Sequence, residues 1–188
     1  MRHWRLMNFL VIITIFFLHS SLSAQDQQWS GSIKGGVLFP GTVTIDPPGW
    51  DVDTETGWII NAKADALMSP KFSLGALIGF AGTSAEDSND GTSIFNIGAT
   101  MKAWFQMQNG WYLRPGILLS YQSITGDFDD VTGFNAGAFV EIASPLKNKY
   151  SAIVGELGFI SQPAGGNSDA DVTFAPIFYI QIGYEFGG

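Results

Sequence analysis

Residues 58–68, WIINAKADALM, put Trp58, Ile60, Ala62, Ala64, Ala66 and Met68 on one set of alternate positions and Ile59, Asn61, Lys63, Asp65 and Leu67 on the other. The first set is wholly apolar and the second is mixed. A period of two belongs to a β-strand whose faces meet different surroundings. The pattern recurs, broken by Gly, Pro, Asn and Asp clusters, and predicts eight strands at 28–39, 57–68, 71–82, 93–106, 111–122, 133–143, 150–161 and 172–186. No long stretch shows helical spacing. Each strand has about the length, roughly 9 to 11 residues, that crosses a bilayer at a tilt.

Every strand offers one face nearly free of polar groups, such as Phe95, Ile97, Ala99, Met101, Ala103 and Phe105, or Phe174, Pro176, Phe178, Ile180, Ile182, Tyr184 and Phe186. The opposite faces collect Lys34, Lys63, Asp65, Lys102, Arg114, Glu141, Glu156 and Glu185, four cations and four anions among Gly, Ser and Asn. A soluble barrel would carry dense charge on its outward faces. One or two charges per face, balanced in sign, fit an inverted barrel with apolar faces toward lipid and ions paired in a narrow lumen. The expected fold is all-β, an eight-stranded antiparallel up-and-down transmembrane β-barrel. Expected lumen pairs are Lys63 with Asp65 or a facing partner, Arg114 with Glu141, and Lys34 with Glu185 across the closing seam. Pro115 and Pro176 each delete a ladder donor, so a bulge or strand limit is expected near both.

The N-terminal segment sets the compartment. Arg2, His3 and Arg5 precede a largely apolar run from Met7 to Leu18, then Ser20, Ser21, Leu22, Ser23 and Ala24. That is the order of a secretory signal peptide, with the apolar run too short for a membrane anchor. Cleavage after Ala24 leaves residues 25–188 as one barrel domain. The 188-residue chain has a net charge of −8; losing Arg2 and Arg5 leaves 7 basic against 17 acidic residues, a net −10. Such a balance excludes a nucleic-acid partner. The absence of cysteine excludes disulfides and a lipid-modified Cys.

Connections alternate long and short. Residues 40–56, 83–92, 123–132 and 162–171 are long, and they hold 12 of the 17 acids. The short ones lie at 69–70, 107–110 and 144–149, flanked by Lys71, Lys147 and Lys149. Outer-membrane barrels place long loops outside and short turns on the periplasmic side. Trp29, Trp58, Trp111, Tyr121, Tyr150, Tyr184 and Phe186 sit at strand ends, where rings meet headgroups.

With these features, and with the final strand YIQIGYEFGG carrying Gly183, Tyr184 and Phe186, the chain resembles the small eight-stranded outer-membrane β-barrel proteins that include OmpX and the membrane domain of OmpA. The resemblance rests on architecture across residues 25–188 and departs from the family in ending on Gly187 and Gly188. It implies insertion in the outer membrane of a didermic bacterium, with lipid as the surrounding partner.

Both histidines, His3 and His19, leave with the signal, which removes His-assisted nucleophiles and His-based metal sites. No enzyme activity and no cofactor are expected, and the lumen carboxylates are read as structural. Oxygen ligands at alternate positions make Asp51, Asp53 and Glu55, and Asp127, Asp129 and Asp130, weak candidates for a hard cation. An eight-stranded interior is filled by side chains. The expected function is a structural or surface-interaction role through the four acidic loops; the alternative is a narrow channel or a barrel that binds a small ligand or lipid.

Overall fold

The computed structural model describes residues 29–47, 49–85, 91–126, 131–147, 151–163, 165–166 and 171–187. The signal peptide, Tyr150, Asp127, Asp129 and Asp130 lie outside the described residues. Among the described residues thirteen strands form: β1 (Trp29–Leu38), β2 (Thr42–Asp46), β3 (Trp50–Asp53), β4 (Gly57–Ser69), β5 (Phe72–Ser84), β6 (Gly91–Ala103), β7 (Phe105–Gln106), β8 (Tyr112–Thr125), β9 (Val131–Pro145), β10 (Ser151–Ile160), β11 (Gly165–Gly166), β12 (Asp171–Phe174) and β13 (Ile177–Gly187).

Eight of them make the barrel, in the antiparallel order β6-β5-β4-β1-β13-β10-β9-β8, and β6 pairs with β8 to close it. From Gly183, one path through the registers runs by Lys34, Asn61, Gly79, Asn96 and Gln122 to Gly133 of β9. The other path runs by Val154 to Ala143, ten residues along the same strand. A stagger of ten over eight strands tilts the strands by about 40° and gives a backbone radius of roughly 8 Å. Such an interior holds side chains and no wide pore.

Its solvent logic is inverted. Ile33, Ile60, Ile117, Leu119, Leu157 and Ile182 are exposed on the outer wall, while Lys34, Lys63, Lys102, Arg114, Glu141 and Glu156 are buried within. Aromatic pairs on neighbouring strands, Phe80 with Phe95, Tyr121 with Phe134 and Phe159 with Phe178, ring the outer wall toward the long connections. Trp29 and Phe186 meet edge to face at the opposite end. The belts are eight to ten residues apart along a strand, as from Phe72 to Phe80 or Trp29 to Phe39. At this tilt that is roughly 20 to 25 Å, the height of an outer-membrane apolar band.

The structure departs from the expected strands in three places. The strand expected at 93–106 breaks at Trp104. The β6–β8 ladder stops at Lys102 and Gly116 and resumes in the same register with Phe105 and Leu113, skipping the stretch where Pro115 has no N–H to give. The strand expected at 172–186 is two strands, β12 and β13, separated at Ala175 and Pro176. Pro176 therefore marks a strand limit, whereas Pro115 stays inside β8, opposite Val140, and the limit near it falls on the facing strand, between β6 and β7.

Third, two of the long connections carry strands of their own. β11, β12, β2 and β3 form a second antiparallel sheet in that order. Each of its pairings keeps the register of the barrel pairing below it: β2–β12 continues β1–β13, β2–β3 continues β1–β4, and β11–β12 continues β10–β13. The second sheet is thus an upward extension of half the barrel wall. Pro40, Pro163 and Pro176 fall on three of the four linking segments and interrupt the ladders there.

The interruption also exchanges the faces. Even positions of β1 point into the lumen, yet in β2 the odd residue Val43 is the buried one. Val43 packs with Val172, Ala85, Val52 and Phe174, and Phe174 also packs against the lumen's own apolar cluster. This face of the sheet is therefore turned to the barrel mouth. Phe174, expected on the lipid face, lies inside.

Candidate functional site

The lumen is where the sequence concentrates chemistry, and alternation alone decides which residues enter it. Glycine makes room for them. A Cβ on Gly183 would lie 2.5 Å from Lys34 Cγ, and one on Gly158 would lie 2.5 Å from the Tyr179 hydroxyl.

All eight expected charged residues face the lumen, and they form one connected network. Glu141, with no exposed side-chain surface, takes hydrogen bonds from Lys34 Nζ at 2.6 Å and Arg114 Nη1 at 2.9 Å, with Lys102 Nζ at 3.5 Å. Glu156 accepts from Lys34 Nζ, from Lys63 Nζ at 2.7 Å and from the Tyr179 hydroxyl at 2.8 Å. Lys102 also donates to Asp65 Oδ2 at 2.8 Å. Arg114 clamps Glu185 with both Nη atoms, at 2.6 and 3.0 Å. Four positive and four negative charges are thereby matched within the low-dielectric lumen, the condition under which buried ions persist.

Of the expected pairs, Arg114–Glu141 is present. Lys63 does not pair with Asp65; two residues apart on one strand, they reach across the lumen instead, Lys63 to Glu156 and Asp65 to Lys102. Lys34 does not pair with Glu185. Its register partner on β13 is Gly183, and its long side chain extends to Glu141 and Glu156, while Arg114 takes Glu185.

Sequence reasoning missed the aromatic groups that hold the cations. The Arg114 guanidinium stacks 3.6 Å from the centre of the Trp104 ring, and Trp104 Nε1 donates to Ser73 Oγ at 2.9 Å. Lys63 Nζ lies 4.0 Å from the Phe139 ring centre. The available signal was parity: Trp104 is two residues from Lys102, and Phe139 two from Glu141. Attraction to a ring face adds most where water is excluded.

Toward the long connections the lumen changes character. Ser120, Asn135, Gln122 and Asn96 form a chain of hydrogen bonds, with Asn135 Nδ2 donating to Gln122 Oε1 at 2.5 Å. Around them Leu38, Ile59, Ala81, Ile94, Ile124, Val131 and Ile160 build an apolar cluster. The second sheet closes over that cluster through Phe174.

The acidic candidates of the first long connection do not converge. Asp51 accepts from Thr44 Oγ1 at 2.7 Å, Asp53 from Thr42 Oγ1 at 3.1 Å, and Glu55 from Ser84 Oγ at 2.8 Å. Among the described residues no three acidic groups come together as metal ligands. Asp53 and Glu55 instead line a shallow cleft with Pro40, Gly41, Thr42, Thr54 and Thr56, where the wall breaks below β3.

No protein-family model matches the chain, and no curated protein matches it. Solved structures do. Neisserial surface protein A is similar at 11% identity and a TM-score of 0.58, over 85% of this chain and 96% of that one. The outer membrane protein OprG from Pseudomonas aeruginosa is similar at 9% identity and 0.57, over 85% and 95%. The outer membrane protease OmpT from Escherichia coli is similar at 8% identity and 0.50, over 88% and 98%. One of the three is a protease by name, so the likeness carries no activity with it. Identities this low show a common fold alone, and that fold is the outer-membrane β-barrel, here in its closed eight-stranded form.

Proposed function

We propose that this chain is a non-enzymatic barrel of a bacterial outer membrane that acts through its outer surface, the lumen serving as a structural plug. Short turns face the periplasm and the second sheet faces outward, the usual orientation for this fold. The observation that carries the reading is the state of the lumen carboxylates. Glu141 and Glu156, the pair best placed for acid–base work, are each held by two or more cations inside a wall that the apolar layer and the sheet close above. A carboxylate so neutralised and sequestered meets no substrate. The acidic and hydroxyl-bearing face of the second sheet remains for contact with partners outside.

The test is reconstitution of the purified barrel in planar lipid bilayers, after membrane fractionation and gel mobility with and without boiling. A detergent-requiring protein whose mobility shifts on heating, and which gives no discrete conductance steps, supports the reading. Steady single-channel steps would replace it with the narrow channel. Lipid turnover abolished by Glu141→Gln would replace it with an enzyme.

A further inference from the structure

We propose that Trp58 and Glu55 form a saccharide-binding site on the outer wall, at the foot of the second sheet, for a pyranose that is neutral or carries an ammonium group. The inference deepens the surface-interaction reading and rests on it.

The site is built on the outward face of β5. Ala81 and Ala85 belong to the inner apolar clusters, so the intervening even positions, Gly82 and Ser84, face outward. Gly82 seats an aromatic ring. A Cβ there would lie 2.6 Å from Trp58 Nε1 and 2.8 Å from Cε2, so the indole rests against bare backbone, and the residue is 52% exposed. Ser84 seats a carboxylate: its Oγ donates to Glu55 Oε2 at 2.8 Å, and Glu55 is exposed as well. Two residues along one strand separate these seats, so ring and carboxylate are anchored roughly 7 Å apart. A sugar ring laid on the indole would bring one of its hydroxyls within reach of Glu55.

Glu55 and Thr56 also line the cleft below β3, together with Thr42 and Asp53, and its volume of about 690 Å³ is that of a small-ligand site. Above it Thr54 bridges Ala85, which bounds the surface where β3 gives way to β4. Asp53 accepts from Thr42 Oγ1 at 3.1 Å and Glu55 from Ser84, and each ionised carboxylate keeps further lone pairs for a ligand.

The chemistry selects what binds. The C–H groups on a pyranose face suit the negative face of an aromatic ring, and an ammonium suits it better still. Carboxylates accept from hydroxyl or ammonium groups and repel phosphate and carboxylate. Uronates and phosphorylated sugars are thereby turned away. Height on the wall matters too. The Trp58–Gly82 pair stands one alternate step above Ile60 and Phe80, at the outward margin of the aromatic belt. A border tryptophan anchors to headgroups without an acid beside it; this one has Glu55 held over it by a serine. At that level a sugar can come from the headgroup of an outer-leaflet glycolipid or from a saccharide in the medium.

The experiment uses the whole barrel in dodecylphosphocholine, a detergent without sugar, and isothermal titration with tetramers of N-acetylglucosamine, glucosamine and galacturonate. Saturable binding of the first two is expected, tighter for the amine, with none of the third. Trp58→Ala should weaken both at least about tenfold, and Glu55→Gln should erase the advantage of the amine. Trp50→Ala, at the sheet's rim, should bind as the parent does. Should Trp58→Ala fail to fold, seen as a lost heat shift in gel mobility, Glu55→Gln carries the test alone, because Gln still accepts from Ser84. No binding of either glucosamine tetramer, equal binding of galacturonate, or binding that neither Trp58→Ala nor Glu55→Gln weakens overturns the assignment. Repetition in phosphatidylcholine nanodiscs with and without a glucosyl diacylglycerol separates the sources. Competition by the glycolipid places the ligand in the leaflet, and undiminished binding assigns the site to a soluble saccharide. Failure here with conductance still absent removes the sugar site alone; conductance steps would remove the reading beneath it.

Discussion

The two ends of the lumen solve one packing problem in opposite ways. Toward the short turns the barrel is filled by eight charges drawn from β1, β4, β6, β8, β9, β10 and β13. Toward the long connections it is filled mainly by aliphatic side chains around a small amide cluster. Stability in the first region depends on every charge keeping its partners. In the second it depends on volume. Charge and volume respond to different substitutions, which makes the contrast testable.

The largest effect is expected from Glu141→Gln, which keeps the volume and removes one charge from among three cations. Leaving buried charge uncompensated costs about 3 to 5 kcal/mol, read as a lower denaturant midpoint in the boiled-against-unboiled gel assay. Arg114→Met should fall in the same range, whereas Arg114→Met with Glu185→Met should cost less than Arg114→Met alone, because the pair leaves together. A double variant worse than the single would end the claim that this half is governed by charge matching. Next comes Ile124→Ala in the upper half, at about 2 to 4 kcal/mol, with Ile124→Val nearer 1 kcal/mol, a gradient that follows the volume removed. Gly158→Ala should cost about 1 to 3 kcal/mol, since the new methyl displaces the Tyr179 hydroxyl from its place beside Glu156. Asp51→Asn, on the exposed sheet face, should leave the midpoint unchanged.

How far the sequence foretold this depends on whether one strand or two were needed to see a feature. Lumen and lipid faces are properties of a single strand, and the alternation in β4 or β9 displays them directly. Pairing inside the lumen is a property of the whole barrel. A stagger of ten residues carries neighbouring levels around the wall, so Lys34 and Glu185, on adjacent strands, point to different partners. The continuation of the wall into β2, β3 and β12 was hidden for another reason: Pro40, Gly41, Pro47 and Gly49 punctuate residues 40–56 as a loop would. Phe174 kept the rhythm of the strand that follows it, and only the break at Pro176 reveals that its face is exchanged.

The seam between β1 and β13 joins the first barrel strand to the last, and this places the ionic network late in the life of the molecule. Lys34 finds Glu141 and Glu156, and Arg114 finds Glu185, only when the C-terminal strand has arrived and the circle is shut. A slip of β1 by one residue against both β13 and β4 would swing the Lys34 ammonium into lipid, at about 2 to 4 kcal/mol near the midplane; a slip by two would set cations beside the wrong neighbours. The lumen charges thus act as a proofreading lock, indifferent to each strand alone and satisfied by one arrangement of all eight.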